Sequence, residues 1–527
     1  MSCDRFVEER LPPPDALPEF LPLVYPPELN AAAELLKSGA PDALAVVNAH
    51  GRWTYAELDS LSGRIARLLV EQEALTPGNR VLLRGPNGYT LFAAWLGVLK
   101  AGGVVVTTMP LLRPGELATV IDKAEISHAI VDSRFNGDFR EAMSQTRFVK
   151  HLVRYDGDHG QGELETRCRD LEPLSPVSTS PDDPALIAFT SGTTGTPKGC
   201  VHRHRDVLAP CDTFARAHFA MKPGDIVLTS APIAFTFGLG ATLLFPLRFG
   251  AAAATVEKAT PIELIDAIAT FGVTHLATAP TAYKAMLGQP VIDTTLKSLT
   301  ACVSAGEHLP QSVWQQWRDR TGLAIVDGIG ATEMMHIFIA SDAAIRPGST
   351  GLPVPGYIAT ILDPDGNELS EGEGRLAVKG PTGCRYLADA RQADYVYAGW
   401  NVTGDTFRKD AEGYYWYVAR SDDMIVSSGY NIAAPEVENA LLAHPAVAEC
   451  AVIGAPCPER GQKVSAFVVL ADFADASEEL ADKLKAFVKD RIAPYKYPRE
   501  IEFVDALPKT ATGKLRRVDL RKSASPQ

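Results

Sequence analysis

Residues 186–202 read Leu-Ile-Ala-Phe-Thr-Ser-Gly-Thr-Thr-Gly-Thr-Pro-Lys-Gly-Cys-Val-His, and the rest of the chain is best read outward from them. An apolar run that fits a buried strand leads into a tract, 190–199, with three glycines, five hydroxyl residues and one lysine. Glycine lets backbone N–H groups approach a polyphosphate closely, hydroxyls add neutral donors, and Lys198 supplies charge. A flexible Ser/Gly/Thr linker would account for the glycines. It would not account for ordered hydroxyls, Pro197 and a lysine directly behind a strand. The tract is not a Walker A loop, because Lys198 is followed by Gly199 where that motif needs Ser or Thr.

On either side of this tract, helix-like and strand-like runs alternate. Leu58, Leu61, Ile65, Leu68 and Leu69 share one helical face, and 80–84 reads as a short buried strand. A helix over 91–100 stops at Gly102 and Gly103, and a strand follows over 104–108. The cycle returns with a strand at 226–229, helix 261–270 before strand 274–278, a strand at 300–304, and helix 311–320 before strand 324–327. Such alternation predicts mainly parallel sheets covered by helices on both faces. After about Pro347, glycines, prolines and the turn Asp363-Pro364-Asp365-Gly366 punctuate short strands such as 375–378, the pattern of a β-rich subdomain. The character shifts again near 420. Helix 435–444, strand 464–470 and a long amphipathic helix over 478–492 make a separate α+β domain. The expected class is therefore α/β. A large N-terminal domain (1–420) of mainly parallel sheets flanked by helices carries the β-rich subdomain, and a small mobile α+β C-terminal domain follows (421–527).

The chain is long enough for two domains, at 527 residues. Its 46% apolar and 22% charged content is that of a soluble globular protein. A net charge of −13 argues against a nucleic-acid partner, since phosphate backbones attract basic surfaces. The eight cysteines form no CxxC pair and no metal-finger spacing, which suggests a reducing compartment. The apolar stretch 243–256 holds Arg248 and is too short to span a bilayer. Neither end matches a signal peptide or address tag. The expectation is a cytoplasmic protein with no membrane partner, monomeric or homodimeric.

The 190–199 tract resembles the signature loop of the acyl-adenylate-forming superfamily: acyl- and aryl-CoA ligases, peptide-synthetase adenylation domains and firefly-type luciferases. Further segments resemble that family's other motifs, in family order. Gly330-Ala331-Thr332-Glu333 is similar to its second nucleotide motif, Thr403-Gly404-Asp405 to its third, and Arg420-Ser421-Asp422-Asp423 to its hinge. Pro508-Lys509-Thr510-Ala511-Thr512-Gly513-Lys514 resembles its catalytic-lysine motif. Two departures stand out: Gly330 where many members have an aromatic residue, and Ala419 where glycine is usual.

The resemblance implies ATP, Mg²⁺ and coenzyme A as reactants, with roles carried over residue by residue. Thr190, Ser191, Gly192, Thr193, Thr194 and Lys198 would hold the phosphates. Thr332 would contact the α-phosphate, and Glu333 would help hold Mg²⁺, a hard cation suited to carboxylate and phosphate oxygens. Ala305, Gly306 and Glu307 would flank adenine, with Asp327 and Gly328 also on the nucleotide. Asp405 would accept both ribose hydroxyls, and Arg420 would reach the same sugar. Lys514 would be the catalytic lysine, a mobile point charge between carboxylate and α-phosphate. Asp422 would be the pivot of the last domain, and Ser428, Gly429 and Tyr430 would line the pantetheine tunnel. The cluster His202-Arg203-His204-Arg205 could meet the CoA phosphates or form a solvated basic face.

For the acid, the family's pocket is built after strand 226–229 and after Glu333. Residues 231–240 contain no Asp, the residue that amino-acid-activating relatives use to pair the substrate ammonium. Phe235, Thr236, Phe237 and Gly238, with Gly330 and His336, suggest a flat apolar slot for an aromatic ring. The run from Gly328 through Phe338 resembles benzoate- and 2-aminobenzoate-CoA ligases, as do 99–110 and 427–438. A small aromatic carboxylic acid is the implied substrate. His336 is read either as a contact to that acid or as a core histidine bonded to backbone. A stand-alone adenylation enzyme loading a carrier protein carries the same motifs.

Overall fold

The computed structural model describes residues 3–190, 197–341, 346–420, 423–427, 430–457, 461–471, 476–492, 496–509 and 515–524. Their packing divides into two compact units. The first holds Met1–Leu309, Val313–Ala359 and Val378–Asn401, and the second Pro310–Ser312, Thr360–Ala377 and Val402–Gln527.

Two sheets build the first unit. One runs in the order His151–Tyr155, His128–Asp132, Arg80–Arg84, Val104–Thr108, Pro184–Thr190, Lys198–Arg203. Its neighbours are parallel up to Pro184–Thr190, and the last pair is antiparallel. The other has a parallel centre made of Ile325–Gly330, Ala301–Ser304, His275–Thr278, Ile226–Thr229, Ala252–Ala254 and Leu44–Asn48. Antiparallel strands close both of its edges. The expected parallel sheets are present, and every residue of Arg80–Arg84 and Val104–Thr108 is buried.

Local signals place the intervening helices. At Pro261–Phe271, Thr260 and Glu263 form a reciprocal capping box around Pro261, and Gly272 ends the helix at φ +68°. Caps of this kind contribute about 1 kcal/mol each, and the left-handed residue that closes the last turn suits glycine. Behind this helix, Ile265, Ile268, Leu276, Tyr283 and Trp317 pack in one apolar cluster.

The second unit holds a sheet in which Met424–Ser427 pairs with Tyr430–Ala433, and Val447–Cys457 with the long strand Gly461–Leu470. Glu500–Phe503 joins that strand in parallel. Helices Ala434–Leu442 and Glu478–Lys489 cover it through Val437, Leu441, Leu484 and Val488. The second helix ends at Lys489, three residues short of the sequence expectation, which ran on to Ile492. In the same unit Tyr415–Arg420 pairs antiparallel with residues 405–409. Among the described residues no helix is long and apolar enough to cross a membrane.

Candidate active site

The strand Pro184–Thr190 turns back on itself as Lys198–Arg203, with Thr190 paired to Lys198. Thr190 and Lys198, the two ends of the glycine- and hydroxyl-rich tract, therefore lie opposite each other on paired strands. Ser191, Gly192, Thr193 and Thr194 lie outside the described residues. The returning strand was not anticipated. A charged residue followed by glycine gives little strand signal, and the pairing that makes the strand is with 184–190. On its far side the segment around Tyr386 is laid antiparallel, through Val201 N–H to Arg385 O and Leu387 N–H to Gly199 O, both 2.8 Å.

This arrangement brings three side chains together. The Lys198 ammonium donates to the Tyr386 hydroxyl at 2.7 Å, and that hydroxyl donates to Glu333 Oε1. Lys198 Nζ stands 3.8 Å from the same carboxylate oxygen and 4.6 Å from the centre of the Tyr386 ring. Tyr386 and Glu333 are both buried. Burial, and then the neighbouring Glu333 charge, push the Tyr386 hydroxyl far above its ordinary value, so it remains a proton donor.

Thr332 and Glu333 sit on a short turn, Thr332–Met334, between the antiparallel strands Ile325–Gly330 and Ile337–Ala340. The turn is held from both sides. His202 Nε2 is 2.8 Å from the Thr332 carbonyl, and the Thr382 hydroxyl donates to the Met334 carbonyl at 2.7 Å. Gly330 is exposed at a register shift in this hairpin, and a Cβ there would lie 2.7 Å from the His336 carbonyl oxygen. That close approach gives a reason for glycine at a position where an aromatic residue is common.

Asp327 and Gly328 lie on the strand leading to that turn. The Asp327 Oδ1 atom is buried with no partner among the described residues, and burial pushes its carboxyl up to about 8. An unpartnered buried acceptor costs free energy until a donor arrives. Ala305 is buried behind Ala301–Ser304, Gly306 is exposed at φ +90°, and Glu307 follows it. These residues stand at the C-terminal ends of parallel strands, where open α/β sheets bind their ligands.

His336 enters an aromatic nest. Its ring lies 4.6 Å from Phe245, 5.3 Å from Phe214 and 5.5 Å from Phe237, centre to centre. Nε2 reaches the Phe237 carbonyl only at 3.4 Å, and Nδ1 is buried with no partner among the described residues. Burial holds its pKa down to about 3, so the ring is neutral across the ordinary pH range. Phe235, partly exposed, precedes the short helix Thr236–Leu239, in which Thr236 and Gly238 are buried. Asn87 clamps the start of this segment, donating to the Ala231 carbonyl at 3.0 Å and accepting from Ile233 N–H at 2.9 Å.

The cluster 202–205 is not a solvated basic face. His202 and His204 are buried, and His204 Nδ1 accepts from Ala31 N–H at 3.1 Å. Arg203 and Arg205 both pair with Asp182, at 2.9 and 3.0 Å. His202 lies in the continuously buried centre of the strand Lys198–Arg203, His204 is buried at the start of the helix His204–Pro210, and the two partly exposed arginines share one acid.

In the second unit, Asp405 and Arg420 face each other across antiparallel strands, with Arg420 Nη1 3.2 Å from Asp405 Oδ1. Gly404 between Thr403 and Asp405 takes φ +78°, a left-handed conformation that glycine adopts at no steric cost. Asp422, Ser428, Gly429 and Lys514 lie outside the described residues, and Tyr430 opens the strand Tyr430–Ala433. Lys509 and Leu515 form an antiparallel bridge on either side of 510–514.

Tyr386 and Asn87 were missed in the sequence. Tyr386 meets Lys198 and Glu333 across 188 and 53 residues, and Asn87 meets Ala231 across 144. No local pattern marks contacts of that range.

Comparison with known proteins agrees with this geometry. Residues 36–386 match the AMP-binding enzyme family, and residues 436–514 match the AMP-binding enzyme C-terminal domain. A benzoate–CoA ligase of Thauera aromatica is 36% identical over 94% of this chain and 96% of its own length. Among solved structures, the anthranilate CoA ligase AuaEII in complex with anthranoyl-AMP superposes with a TM-score of 0.89 at 31% identity, covering 95% of this chain and 98% of that one. A benzoate CoA ligase from Burkholderia xenovorans LB400 gives 0.86 at 33% identity, covering 93% and 99%. With family matches over residues 36–386 and 436–514 and similarity along nearly its whole length, the chain belongs to the AMP-binding enzyme family and carries that family's C-terminal domain.

Proposed function

We propose that this protein is an AMP-forming aryl-CoA ligase. It would join an aromatic carboxylic acid of the benzoate or 2-aminobenzoate type to AMP and then pass the acyl group to coenzyme A. The observation that carries the aromatic reading is the neutral His336 ring among Phe214, Phe237 and Phe245, beside a segment, 231–240, that offers no carboxylate to a substrate ammonium. An apolar wall with one neutral polar nitrogen suits a flat ring carrying at most a small polar substituent. The similarity to benzoate and anthranilate ligases points the same way.

A carboxylate resists thiol attack because oxide would have to leave. The acid oxygen therefore attacks the α-phosphorus of ATP, expelling pyrophosphate, and the CoA thiol then attacks the acyl carbon of the adenylate, forming the thioester and releasing AMP. Two anions meet in the first step, so the protein's work is charge neutralisation and positioning. Lys198, Thr190 and the hydroxyls of 191–194 bind the phosphates, and Thr332 contacts the α-phosphate. The unpartnered Asp327 oxygen is an acceptor suited to the adenine amino group. Asp405 takes the ribose hydroxyls with Arg420 beside it, and Ala305, Gly306 and Glu307 flank the base.

Glu333 fits a magnesium ion. It is a hard oxygen donor, and the described residues hold no cluster of three or more His, Cys, Asp or Glu able to bind a metal alone. A cation here would share Glu333 with substrate phosphates, the usual arrangement for Mg²⁺, whose charge offsets that of the polyphosphate.

Lys514 supplies the charge between acid and phosphate, the C-terminal domain from 421 turns about Asp422, and 428–430 admit pantetheine. The reading also carries a cytoplasmic location, a monomer or homodimer, and no nucleic-acid or membrane partner. Lys514→Ala tests the mechanism: adenylate formation is lost while thioester formation from supplied adenylate is retained. Equal loss of both steps refutes it. Offering that adenylate to CoA and to a carrier protein separately distinguishes the ligase from a carrier-loading enzyme.

A further inference from the structure

The turn that carries Thr332 and Glu333 runs through a strained residue. Met335, which ends it, is buried and takes φ +67° and ψ −36°. A residue with a Cβ rarely occupies that left-handed region, and such strain persists only where the surroundings fix it. Inside the turn, the Met334 and Met335 N–H groups donate to the Ala331 and Thr332 carbonyls, both at 3.1 Å. Two side chains add holds from outside. The Thr382 hydroxyl, 2.9 Å from that of Tyr357, donates to the Met334 carbonyl at 2.7 Å, and His202 Nε2 lies 2.8 Å from the Thr332 carbonyl.

A carbonyl oxygen only accepts, so His202 carries its proton on Nε2. We infer that His202 is a positioning residue: its Nε2–H fixes the Thr332–Glu333 turn against the strand that carries Lys198. The α-phosphate and the departing pyrophosphate are thereby held in one alignment. The inference rests on the phosphate contacts proposed for Lys198 and Thr332.

His202 acts from a firm base. It shares the strand Lys198–Arg203 with Lys198 and pairs with Leu186 on one side. On the other side, the neighbouring Val201 N–H donates to the Arg385 carbonyl at 2.8 Å, and Arg385 closes a buried ion pair with Asp206 at 2.6 Å. The His202 Nδ1 atom is buried without a hydrogen-bond partner among the described residues, so Nε2 is the atom that orients the ring. Strand and turn approach at a second point, where Lys198 Nζ stands 3.8 Å from Glu333. Removing the imidazole would still leave the Thr332 carbonyl its Met335 donor. What is lost is therefore the position of the turn, and no buried acceptor is stranded.

Glutamine places an N–H as many bonds from Cβ as Nε2 is, and methionine has the same chain length with no donor. The full chain is compared as wild type, His202→Gln and His202→Met, with thermal unfolding as the check on folding. Adenylation is followed by ATP–pyrophosphate exchange with benzoate and 2-aminobenzoate, and the second half-reaction by thioester formation from supplied benzoyl adenylate and CoA. Misplacing a reacting group by a fraction of an ångström to 1 Å costs up to about 100-fold, so His202→Met should lower kcat for adenylation about 10- to 100-fold. The KM for ATP should move less than about 3-fold, because Lys198 keeps its place on the strand. Thioester formation should fall at least about 5-fold less than adenylation, since the adenylate has no β- or γ-phosphate to align. His202→Gln should recover adenylation to within about 3-fold of wild type.

Equal loss in both half-reactions overturns the positioning role, because that is the mark of a smaller folded fraction. So does a His202→Gln enzyme as impaired as His202→Met, or adenylation by His202→Met at the wild-type rate. Should His202→Met unfold, His202→Asn takes its place. Its amide N–H ends one bond short of the carbonyl, and adenylation equal to that of His202→Gln overturns the inference. Absence of pyrophosphate exchange by wild type with any aromatic acid would instead overturn the ligase reading itself.

Discussion

Gly240→Ala is the substitution that most sharply probes the proposed acid pocket. A Cβ built on Gly240 would fall 2.5 Å from His336 Cδ2, 2.8 Å from Nε2 and 2.9 Å from Phe245 Cζ. Carbon atoms pack at about 3.5–4.0 Å, so the imidazole must move by about 1 Å. It has little freedom to do so, with Phe214, Phe237 and Phe245 around it. Overpacking a tight core by one methyl group costs about 1–3 kcal/mol. If the strain is relieved by pushing His336 into the acid slot, kcat/KM for the acid falls about 5- to 150-fold, at 1.36 kcal/mol per factor of ten. The assay is pyrophosphate exchange with benzoate and 2-aminobenzoate at saturating ATP, with the KM for ATP measured alongside. The acid parameter should collapse while the ATP parameter holds. Unchanged kcat/KM for every aromatic acid, with unchanged thermal stability, would refute the placement of His336 at the pocket wall.

Asp206→Ala should destabilise the first unit by about 3–5 kcal/mol, because it strands the buried Arg385 guanidinium and removes the acceptor of Arg203 N–H. Urea unfolding measures it, and a loss below about 1 kcal/mol contradicts the burial argument. Stability should also fall as pH drops from 7 to 5. Burial holds His204 and His308 to about 4 and His336 to about 3, so the unfolded chain takes up protons below about 6.5 that the folded chain refuses. Each such histidine contributes a slope of about 1.4 kcal/mol per pH unit below its unfolded pKa. His204→Asn should flatten the profile by that amount while still accepting from Ala31 N–H, and an unaltered slope contradicts the assignment.

Much of the scaffold was legible because strand and helix periods are local. Arg80–Arg84, Val104–Thr108 and Ile226–Thr229 appear at the residues where apolar runs between turn signals placed them. Helix Gln311–Thr321 runs one residue past its expected end, a displacement typical of fraying termini. The candidate site was legible only where a motif is contiguous, as in Thr332 and Glu333. Where long-range pairing brings groups together it was not. Lys198 reads as a loop residue until Thr190 is seen opposite it, and Tyr386 carries no signal until its segment is laid on Lys198–Arg203. His336 was marked by its neighbours in sequence, but its neutrality follows from the aromatic rings that surround it in space. The cluster 202–205 was misjudged for the opposite reason: charge was counted along the chain, whereas burial is set by the end of the strand Lys198–Arg203 and the start of the helix His204–Pro210 that the four residues span.

The central claim is that ATP is spent to activate an aromatic acid, and ATP–pyrophosphate exchange across benzoates, aminobenzoates, cinnamates and fatty acids tests it most directly. Exchange driven by benzoate or 2-aminobenzoate, well above that with any fatty acid, is the result expected. A preference for a medium-chain fatty acid would contradict the aromatic slot around Phe237 and His336.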